Sequence, residues 1–252
     1  MIRYGLIGFP LTHSGSIEWF TEKLSGEGKS VYRYVNFPLS SLEEFPQVIR
    51  NNPYLIGLNV TMPYKVSIIH WLEELDELAQ AVGAVNTILI QREKGNVHLK
   101  GYNTDVEGFL NSSDFSLHRS ALILGTGGAA KAVAYALSRL GIQHHFVSRN
   151  PRTAFDLSYS ELTDKTIKEN TLIINATPLG MNPAAGIPEI PYYCLTKAHF
   201  LYDLVYNPPM TPFLVQGERF GSRVQNGKAM LIRQAEQSYR IWSTPPQPGF
   251  TR

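Results

Sequence analysis

The amino-acid sequence predicts an α/β fold. Apolar runs of strand length alternate with amphipathic segments of helix length, and one apolar run leads through a glycine-rich turn directly into a helix. With 252 residues, of which 43% are hydrophobic and 17% charged, the chain can bury a sizeable core as one large domain or as two smaller ones.

The first hundred residues alternate between strands and helices. Ser41 and Glu44 form the Ser-x-x-Glu pattern that starts a helix, and Gly95 with Asn96 is a pair that suits a hairpin turn. The predicted strands are residues 4–9, 31–37, 55–60, 84–90 and 97–102, and the predicted helices are residues 17–24, a segment from Ser41 onward and segments between residues 66 and 81.

The rest of the chain has the strand and helix order of a parallel sheet. Residues 149–171 are too few for a complete helix, strand and helix, so we expect a reduced sheet in this half. Strands are predicted at residues 120–124, 144–148, 172–175 and 201–205, and helices at residues 106–110, from the glycine-rich turn to Leu140, and at residues 227–242.

Charge and cysteine content exclude several classes of protein. The net charge is +2 and no run of five like charges occurs, so we expect neither nucleic acid nor a membrane surface as a partner. The single cysteine, Cys194, excludes an internal disulfide and fits a reducing compartment. Because no apolar stretch reaches the roughly 20 residues of a membrane helix and residues 1–9 do not resemble a signal peptide, we expect a cytoplasmic protein.

A glycine-rich motif, Gly125-x-Gly127-x-x-Ala130, joins the strand at residues 120–124 to its helix. Its glycines allow a tight turn and a close approach of the backbone to a pyrophosphate at the helix N-terminus, as in Rossmann-like dinucleotide-binding domains. The alternative is a glycine-rich loop that binds no ligand. The strand and helix on either side favour the dinucleotide site.

The end of the next strand distinguishes between the two nicotinamide cofactors. NAD enzymes usually carry an acidic residue here, about 20 positions after the glycines, whereas this strand ends in Ser148-Arg149-Asn150 with Arg152 close behind. Guanidinium groups match phosphate geometry, so Arg149 and Arg152 favour the 2′-phosphate of NADP. Either arginine could instead be a solvated surface charge.

Polar residues cluster where the apolar runs of the first third end. The carboxyl ends of strands in an α/β sheet open into the ligand crevice, so these clusters favour a site for a small polar substrate. Each one could instead be a turn or a helix cap. The clusters are His13-Ser14-Gly15-Ser16, Asn59-Val60-Thr61 with Lys65, Asn86-Thr87, and Asn103-Thr104-Asp105.

The order and spacing of these blocks resemble the shikimate dehydrogenase family over nearly the whole chain. Gly15, Ile17, Lys131, Ser148 and Asn226 depart from the residues usual in that family, which affects the expected affinity and cofactor preference more than the reaction class. The matching blocks are Gly8-x-Pro10-x-x-His13-Ser14-x-Ser16, Asn59-Val60-Thr61-x-Pro63-x-Lys65, Val82-Gly83-Ala84-Val85-Asn86-Thr87, Gly101-x-Asn103-Thr104-Asp105, residues 125–130, Asn175-Ala176-Thr177, Asp203-Leu204-Val205-Tyr206-x-Pro208-x-x-Thr211, and residues 227–235.

The resemblance implies a substrate-binding domain formed by residues 1–103 and 227–252, and a Rossmann-like NADP-binding domain formed by residues 104–226. It also implies reversible reduction of 3-dehydroshikimate to shikimate with NADPH. The implied substrate contacts are Ser14 and Ser16 to the carboxylate, Thr61, Asn86 and Gln234 to hydroxyl groups or neighbouring polar atoms, and Tyr206, which would help to close the site.

The resemblance further implies which residues hold the cofactor. They are Gly125, Gly127, Gly128 and Ala129 for the pyrophosphate, Ser148, Arg149 and Arg152 for the 2′-phosphate, and Thr177, Leu204, Gly227 and Met230 for the nicotinamide half.

Reduction of a ketone by hydride also requires a proton, which the protein must supply. We expect Lys65 to donate this proton and to accept it in the reverse reaction, with Asp105 holding the lysine in position. Lys65 could instead be a surface lysine that begins a helix. We expect no metal, since the adjacent His144 and His145 lie on a predicted strand and would point to opposite faces.

Three other functions are alternatives to the reduction of 3-dehydroshikimate. The first is a quinate/shikimate dehydrogenase of broader specificity. The second is a non-catalytic protein that binds NADP or a metabolite, against which the presence of both Lys65 and Asp105 argues. The third is another two-domain NADP enzyme, such as a folate-type dehydrogenase, which would not explain Ser14 and Ser16. For the assembly we expect a monomer or a homodimer.

Overall fold

The computed structural model describes residues 1–11, 15–154, 156–182 and 186–244. The chain forms two compact units, one made of Met1–Gly108 with Leu231–Arg252 and the other of Phe109–Met230. Within the described residues, each unit contains one six-stranded sheet with helices, so the α/β prediction is confirmed. Among these residues, no helix is both long and apolar enough to cross a membrane.

The helices and strands are numbered in chain order. The strands are β1 (Ile2–Gly8), β2 (Tyr32–Pro38), β3 (Leu55–Val60), β4 (Glu74–Leu75), β5 (Thr87–Glu93), β6 (Asn96–Tyr102), β7 (Ser120–Leu124), β8 (Gln143–Ser148), β9 (Leu157–Ser158), β10 (Leu172–Asn175), β11 (Phe200–Asp203) and β12 (Arg223–Asn226). The α-helices are α1 (Gly15–Gly26), α2 (Phe45–Asn51), α3 (Glu77–Val82), α4 (Asp105–Leu110), α5 (Gly128–Arg139), α6 (Asp164–Glu169), α7 (Pro212–Arg219) and α8 (Lys228–Ser243).

The sheet of the first unit is mixed, with the strand order β2-β1-β3-β5-β6-β4. Strand β1 pairs in parallel with β2 and β3, whereas β3, β5 and β6 pair antiparallel. Both faces of the sheet are covered. Neighbouring residues of β1 point to opposite faces, and each contributes to a different cluster. Leu6 packs in a cluster with Phe20 of α1 and Trp242 of α8, and Ile7 packs in another with Phe45 of α2.

The sheet of the second unit is fully parallel, with the strand order β12-β11-β10-β7-β8-β9. Its central strands β7 and β10 are almost continuous apolar runs, as expected for strands covered on both faces. The carboxyl ends of the parallel strands lie at one edge, which is where ligands bind in sheets of this kind.

Several local predictions differ in detail from the structure. Ser41 caps a 3₁₀ turn, Leu42–Glu44, and α2 begins only at Phe45. The hairpin turn is centred on Lys94 and Gly95, both with positive φ, so the prediction of a Gly95–Asn96 turn was one residue late.

A further difference concerns the short segments before α3. The expected helical region between residues 66 and 81 is a 3₁₀ helix (Ser67–Trp71), the two-residue β4 and the short α3. The segment after β8 contains only the two-residue β9, a 3₁₀ turn and the six-residue α6, so the expected reduction of this half is confirmed.

Candidate active site

Lys65 and Asp105 form an ion pair in the first unit. The Lys65 ammonium donates a hydrogen bond to Asp105 Oδ2 at 2.5 Å, and the two side chains are 16% and 5% exposed. Lys65 lies after β3, where its carbonyl accepts a hydrogen bond from the Val85 amide. Asp105 begins α4, and Asn103 Oδ1 accepts hydrogen bonds from the first amides of that helix.

Asn86 holds the other side of the same carboxylate. Its Nδ2 donates to Asp105 Oδ1 at 2.9 Å and lies 3.4 Å from Gln234 Oε1, while its Oδ1 accepts from the Thr104 amide at 2.7 Å. Both oxygens of Asp105 therefore accept hydrogen bonds, one from an ammonium and one from an amide. Such a carboxylate has one orientation, so it can hold the lysine in one orientation too.

A layer of buried polar side chains packs next to Asn86. Ser238 on α8 makes hydrogen-bonding contacts with Asn59 at 2.9 Å, Thr87 at 2.7 Å and Thr104 at 3.2 Å. Asn59 in turn accepts a hydrogen bond from the Tyr34 hydroxyl. Neither Ser238 nor Tyr34 was among the predicted site residues. Ser238 follows Gln234 by one helical turn, and this spacing on one helix face was the available signal.

The remaining predicted substrate contacts are distributed as follows. Ser14 lies outside the described residues. Ser16 is buried in the first turn of α1. Thr61 is half-buried at the end of β3, where its amide donates to the Ile7 carbonyl. Tyr206 is half-buried in the second unit. The structure thus brings together Lys65, Asn86, Asp105 and Gln234, and the roles of all these residues stay predictions.

The glycine motif has a backbone suited to a pyrophosphate. Gly125 adopts φ 104°, which favours glycine, and its amide donates to the Val147 carbonyl. Gly127 caps α5, and a Cβ added there would meet no atom of the described residues within 4 Å. Gly128 and Ala129 form the first turn of this 12-residue helix. The free amides of a helix start attract anions, so the loop fits the diphosphate of a dinucleotide.

The predicted phosphate-binding residues follow β8. Ser148 is half-buried and its hydroxyl accepts a hydrogen bond from the Asn150 amide, which turns the chain. Arg149 and Arg152 are exposed. Asp156 orders the loop beyond them, because its carboxylate accepts hydrogen bonds from the amides of Arg152 and Thr153. These bonds hold the pKa of Asp156 below its usual range. Two exposed cations at this strand end fit the extra phosphate of NADP.

The residues predicted for the nicotinamide half follow three neighbouring strands. Thr177 comes after β10, Leu204 after β11 and Gly227 after β12. Any side chain at Gly227 would place its Cβ 2.2 Å from the Leu204 carbonyl oxygen, so glycine is required for this close approach. Met230 is buried in the first turn of α8.

Two buried polar residues next to this region had no role in the sequence prediction. Asn175 and Asp203 are fully buried at the ends of β10 and β11. Burial raises the pKa of Asp203 from its ordinary value of 3.8 to about 6, although hydrogen bonds to its carboxylate act in the opposite direction. Their position at strand ends was the signal that could have identified them.

Among the described residues, no three His, Cys, Asp or Glu side chains are grouped as a metal site would require. The ion pair of the first unit and the glycine-rich loop of the second are the chemically distinctive features.

Comparisons with known proteins identify the family. Residues 6–88 match the model of the shikimate dehydrogenase substrate-binding domain. The chain is 35% identical to the shikimate dehydrogenase (NADP⁺) of Desulforamulus reducens, over 98% of this chain and 90% of that protein. The chain belongs to the shikimate dehydrogenase family. Members of this family are oxidoreductases.

Solved structures of shikimate dehydrogenases share the fold. The enzyme from Peptoclostridium difficile superposes with a TM-score of 0.86 at 34% identity, over 98% of this chain and 93% of that one. The Thermus thermophilus enzyme in complex with NADP(H) and shikimate gives 0.83 at 32% identity, over 98% and 96%. A quinate dehydrogenase from Corynebacterium glutamicum in complex with NAD gives 0.81 at 29% identity, over 99% and 95%.

Proposed function

We propose that this protein catalyses the reversible NADPH-dependent reduction of 3-dehydroshikimate to shikimate, a step in the biosynthesis of chorismate and the aromatic amino acids. The observation that carries this proposal is the ion pair of Lys65 and Asp105, fixed by Asn86, in a chain of this family. We further propose that the enzyme is cytoplasmic and acts as a monomer or a homodimer.

The proton that the reduction requires is the basis for the role proposed for Lys65. A nicotinamide cofactor, when bound, would supply the hydride for the carbonyl carbon. The Lys65 ammonium donates a proton to the carbonyl oxygen as it becomes a hydroxyl group, and in the oxidation direction the neutral amine takes this proton back. Asp105 does not exchange a proton in this scheme. Its carboxylate orients the ammonium, and Asn86 orients the carboxylate.

The substrate assignment rests on polar groups around this pair. A ring acid with several hydroxyl groups offers donors and acceptors that match amides and hydroxyls. In this proposal Ser14 and Ser16 bind the carboxylate, Thr61, Asn86 and Gln234 contact the hydroxyl groups, and Tyr206 covers the ring. The known complex of the Thermus thermophilus enzyme with NADP(H) and shikimate supports this substrate class.

The preference for NADP rests on the exposed arginines after β8. Arg149 and Arg152 supply two positive charges where an NAD enzyme usually has an acid. Ser148 adds a hydroxyl donor at the strand end.

The deciding experiment is reduction of NADP⁺ on addition of shikimate, followed by absorbance of the reduced nicotinamide. Parallel reactions contain quinate in place of shikimate and NAD⁺ in place of NADP⁺. We expect turnover with shikimate and NADP⁺ to exceed the other combinations. Equal turnover with quinate would instead support an enzyme of broader specificity. Binding of NADP⁺ by calorimetry without turnover would support a non-catalytic protein.

A further inference from the structure

The buried carboxylate of Asp203 ties together two strand ends of the second unit. Its Oδ1 accepts hydrogen bonds from Asn175 Nδ2 and from the Val205 amide, both at 2.9 Å. Its Oδ2 accepts from the Thr211 hydroxyl at 2.6 Å. Asp203 and Asn175 are both completely buried, and they face each other in the register of β10 and β11. Three donors therefore converge on one carboxylate that reaches no solvent.

This arrangement determines which way the Asn175 amide faces. Because its Nδ2 donates to Asp203 at 2.9 Å and to the Leu179 carbonyl at 3.1 Å, its Oδ1 is turned toward Thr177, where it accepts from the backbone amide at 3.1 Å and from the hydroxyl at 2.6 Å. The hydrogen of the Thr177 hydroxyl is thus committed to Asn175, and its oxygen is left to accept from the Leu179 amide. The carboxylate is the buried charged end of this chain of bonds, and it favours the amide orientation that turns Oδ1 toward Thr177.

The same carboxylate also fixes the chain after β11. The Val205 amide donates to Asp203 Oδ1, and the Leu204 amide donates to the Asn175 carbonyl. These two bonds fix the backbone of Leu204. Its carbonyl oxygen lies so close to position 227 that only glycine fits there. Thr177 and Leu204, which follow different strands, are positioned by one buried anion.

We propose that Asp203 is a positioning residue for the nicotinamide half of the cofactor, acting on Thr177 through Asn175 and on Leu204 through the Val205 amide. This inference rests on the proposed function, since the resemblance to that family is what assigns Thr177 and Leu204 to the cofactor. Asp203 itself touches no reacting atom. Its contribution is to fix the hydroxyl and the backbone that the cofactor meets.

The test is calorimetric titration of NADP⁺ into Asp203→Asn, with no substrate present. An amide cannot accept all three donors, so Asn175 must turn or a donor must lose its acceptor. We expect the Kd for NADP⁺ to rise about tenfold, with the KM for shikimate within twofold of the wild type. The exchange variant Asp203→Asn with Asn175→Asp restores an acceptor facing Thr177, and we expect it to recover most of the affinity.

Thr211→Val is the matched control. Thr211 binds the same carboxylate through Oδ2 and also caps α7, but it lies outside the chain of bonds that leads to Thr177. We expect it to lower the Tm while the Kd for NADP⁺ stays within twofold. If Asp203→Asn behaves in the same way, the inference is overturned.

Two further measurements keep the test decisive. If Asp203→Asn does not fold, Asn175→Ala breaks the link to Thr177 while the carboxylate keeps its bonds from Thr211 and Val205. A tenfold rise in Kd is then expected, and an unchanged Kd overturns the inference. Turnover of the wild type is measured separately, so a failure of the proposed activity is distinguished from a failure of the positioning role.

Discussion

Lys65 and Asp105 are joined by a 2.5 Å hydrogen bond in a region where both side chains are mostly withdrawn from solvent. An ion pair with this little exposure is weakly screened by salt and costly to break on one side only. Asn86 holds the Asp105 carboxylate independently of Lys65. The orientation of the carboxylate therefore does not depend on the lysine that it positions. This geometry suits a proton donor that must meet one substrate atom.

Replacing Lys65 by alanine should therefore affect the chemical step most. We expect kcat to fall by roughly 10² to 10⁴-fold, the usual contribution of positioned acid-base assistance, with a much smaller change in shikimate affinity. Steady-state kinetics in the oxidation direction, with a separate Kd for shikimate, would measure both. Lys100→Ala is the control, because Lys100 pairs with Glu74 in the same unit and should leave kcat unchanged. Equal losses in kcat and affinity would argue against proton transfer by Lys65.

Arg149 should govern the choice between the two nicotinamide cofactors. Its charge can pair with the 2′-phosphate, which NAD lacks, and a charge-assisted hydrogen bond contributes about 1.5–3 kcal/mol. We expect Arg149→Ala to lower kcat/KM for NADP⁺ at least tenfold and to change that for NAD⁺ less than twofold. Arg219→Ala, an exposed arginine on α7, provides the control. A parallel decrease with both cofactors would contradict this role.

Gly57 should tolerate no side chain, because the indole of Trp242 covers it. A Cβ at this position would lie 2.4 Å from two indole atoms, and Trp242 is fully buried with its Nε1 donating to the Ile88 carbonyl. We expect Gly57→Ala to lower the free energy of unfolding by about 1–3 kcal/mol, measured by urea denaturation. Gly26→Ala is the control, since an added Cβ there meets no described atom within 4 Å. Similar stabilities for the two variants would refute the steric argument.

Asp203 should make stability depend on pH in an unusual direction. Burial raises its pKa to about 6, so between pH 6 and about 4 the folded protein binds more protons than the unfolded chain. The wild type should gain stability relative to Asp203→Asn as the pH falls through this window, by about 3 kcal/mol at most. The neighbouring Tyr192, whose pKa is raised by burial and by the charge of Asp203, stays neutral throughout.

Urea denaturation of both proteins at intervals from pH 4 to 7 would measure this difference. Groups that titrate identically in the two proteins cancel, including Glu27, whose pKa is lowered to about 2 by its hydrogen bond from Tyr239. A difference that does not change with pH would mean that Asp203 titrates as an ordinary aspartate.

The sequence was most informative where function depends on strand ends. Lys65, Asn86 and Asp105 belong to the polar clusters predicted at the ends of the apolar runs, and the structure brings the three together. The glycine motif was predictable for the same reason, since its strand and helix could both be recognised. These are local patterns that one sequence displays directly.

Long-range contacts were the part that the sequence did not reveal. Ser238 lies 151 residues after Thr87, and nothing in the local pattern shows that their hydroxyls meet. Asp203 lay in a matching block but was given no role, because its role depends on contacts with Asn175 and Thr211, which come from other segments. The one-residue error in the hairpin turn has a simpler cause. Lys94 adopts a positive φ, which is uncommon for lysine.

Because α8 packs in the first unit, that unit can be completed during synthesis only after α8 has been made. Ala235, Tyr239 and Trp242 belong to the core that contains Tyr4 and Leu6, so the N-terminal sheet lacks one of its covering helices until the last segment of the chain has been made. The second unit is drawn from consecutive residues and needs no such delay. A nascent chain that has just completed the second unit would therefore hold one finished unit and one unfinished unit.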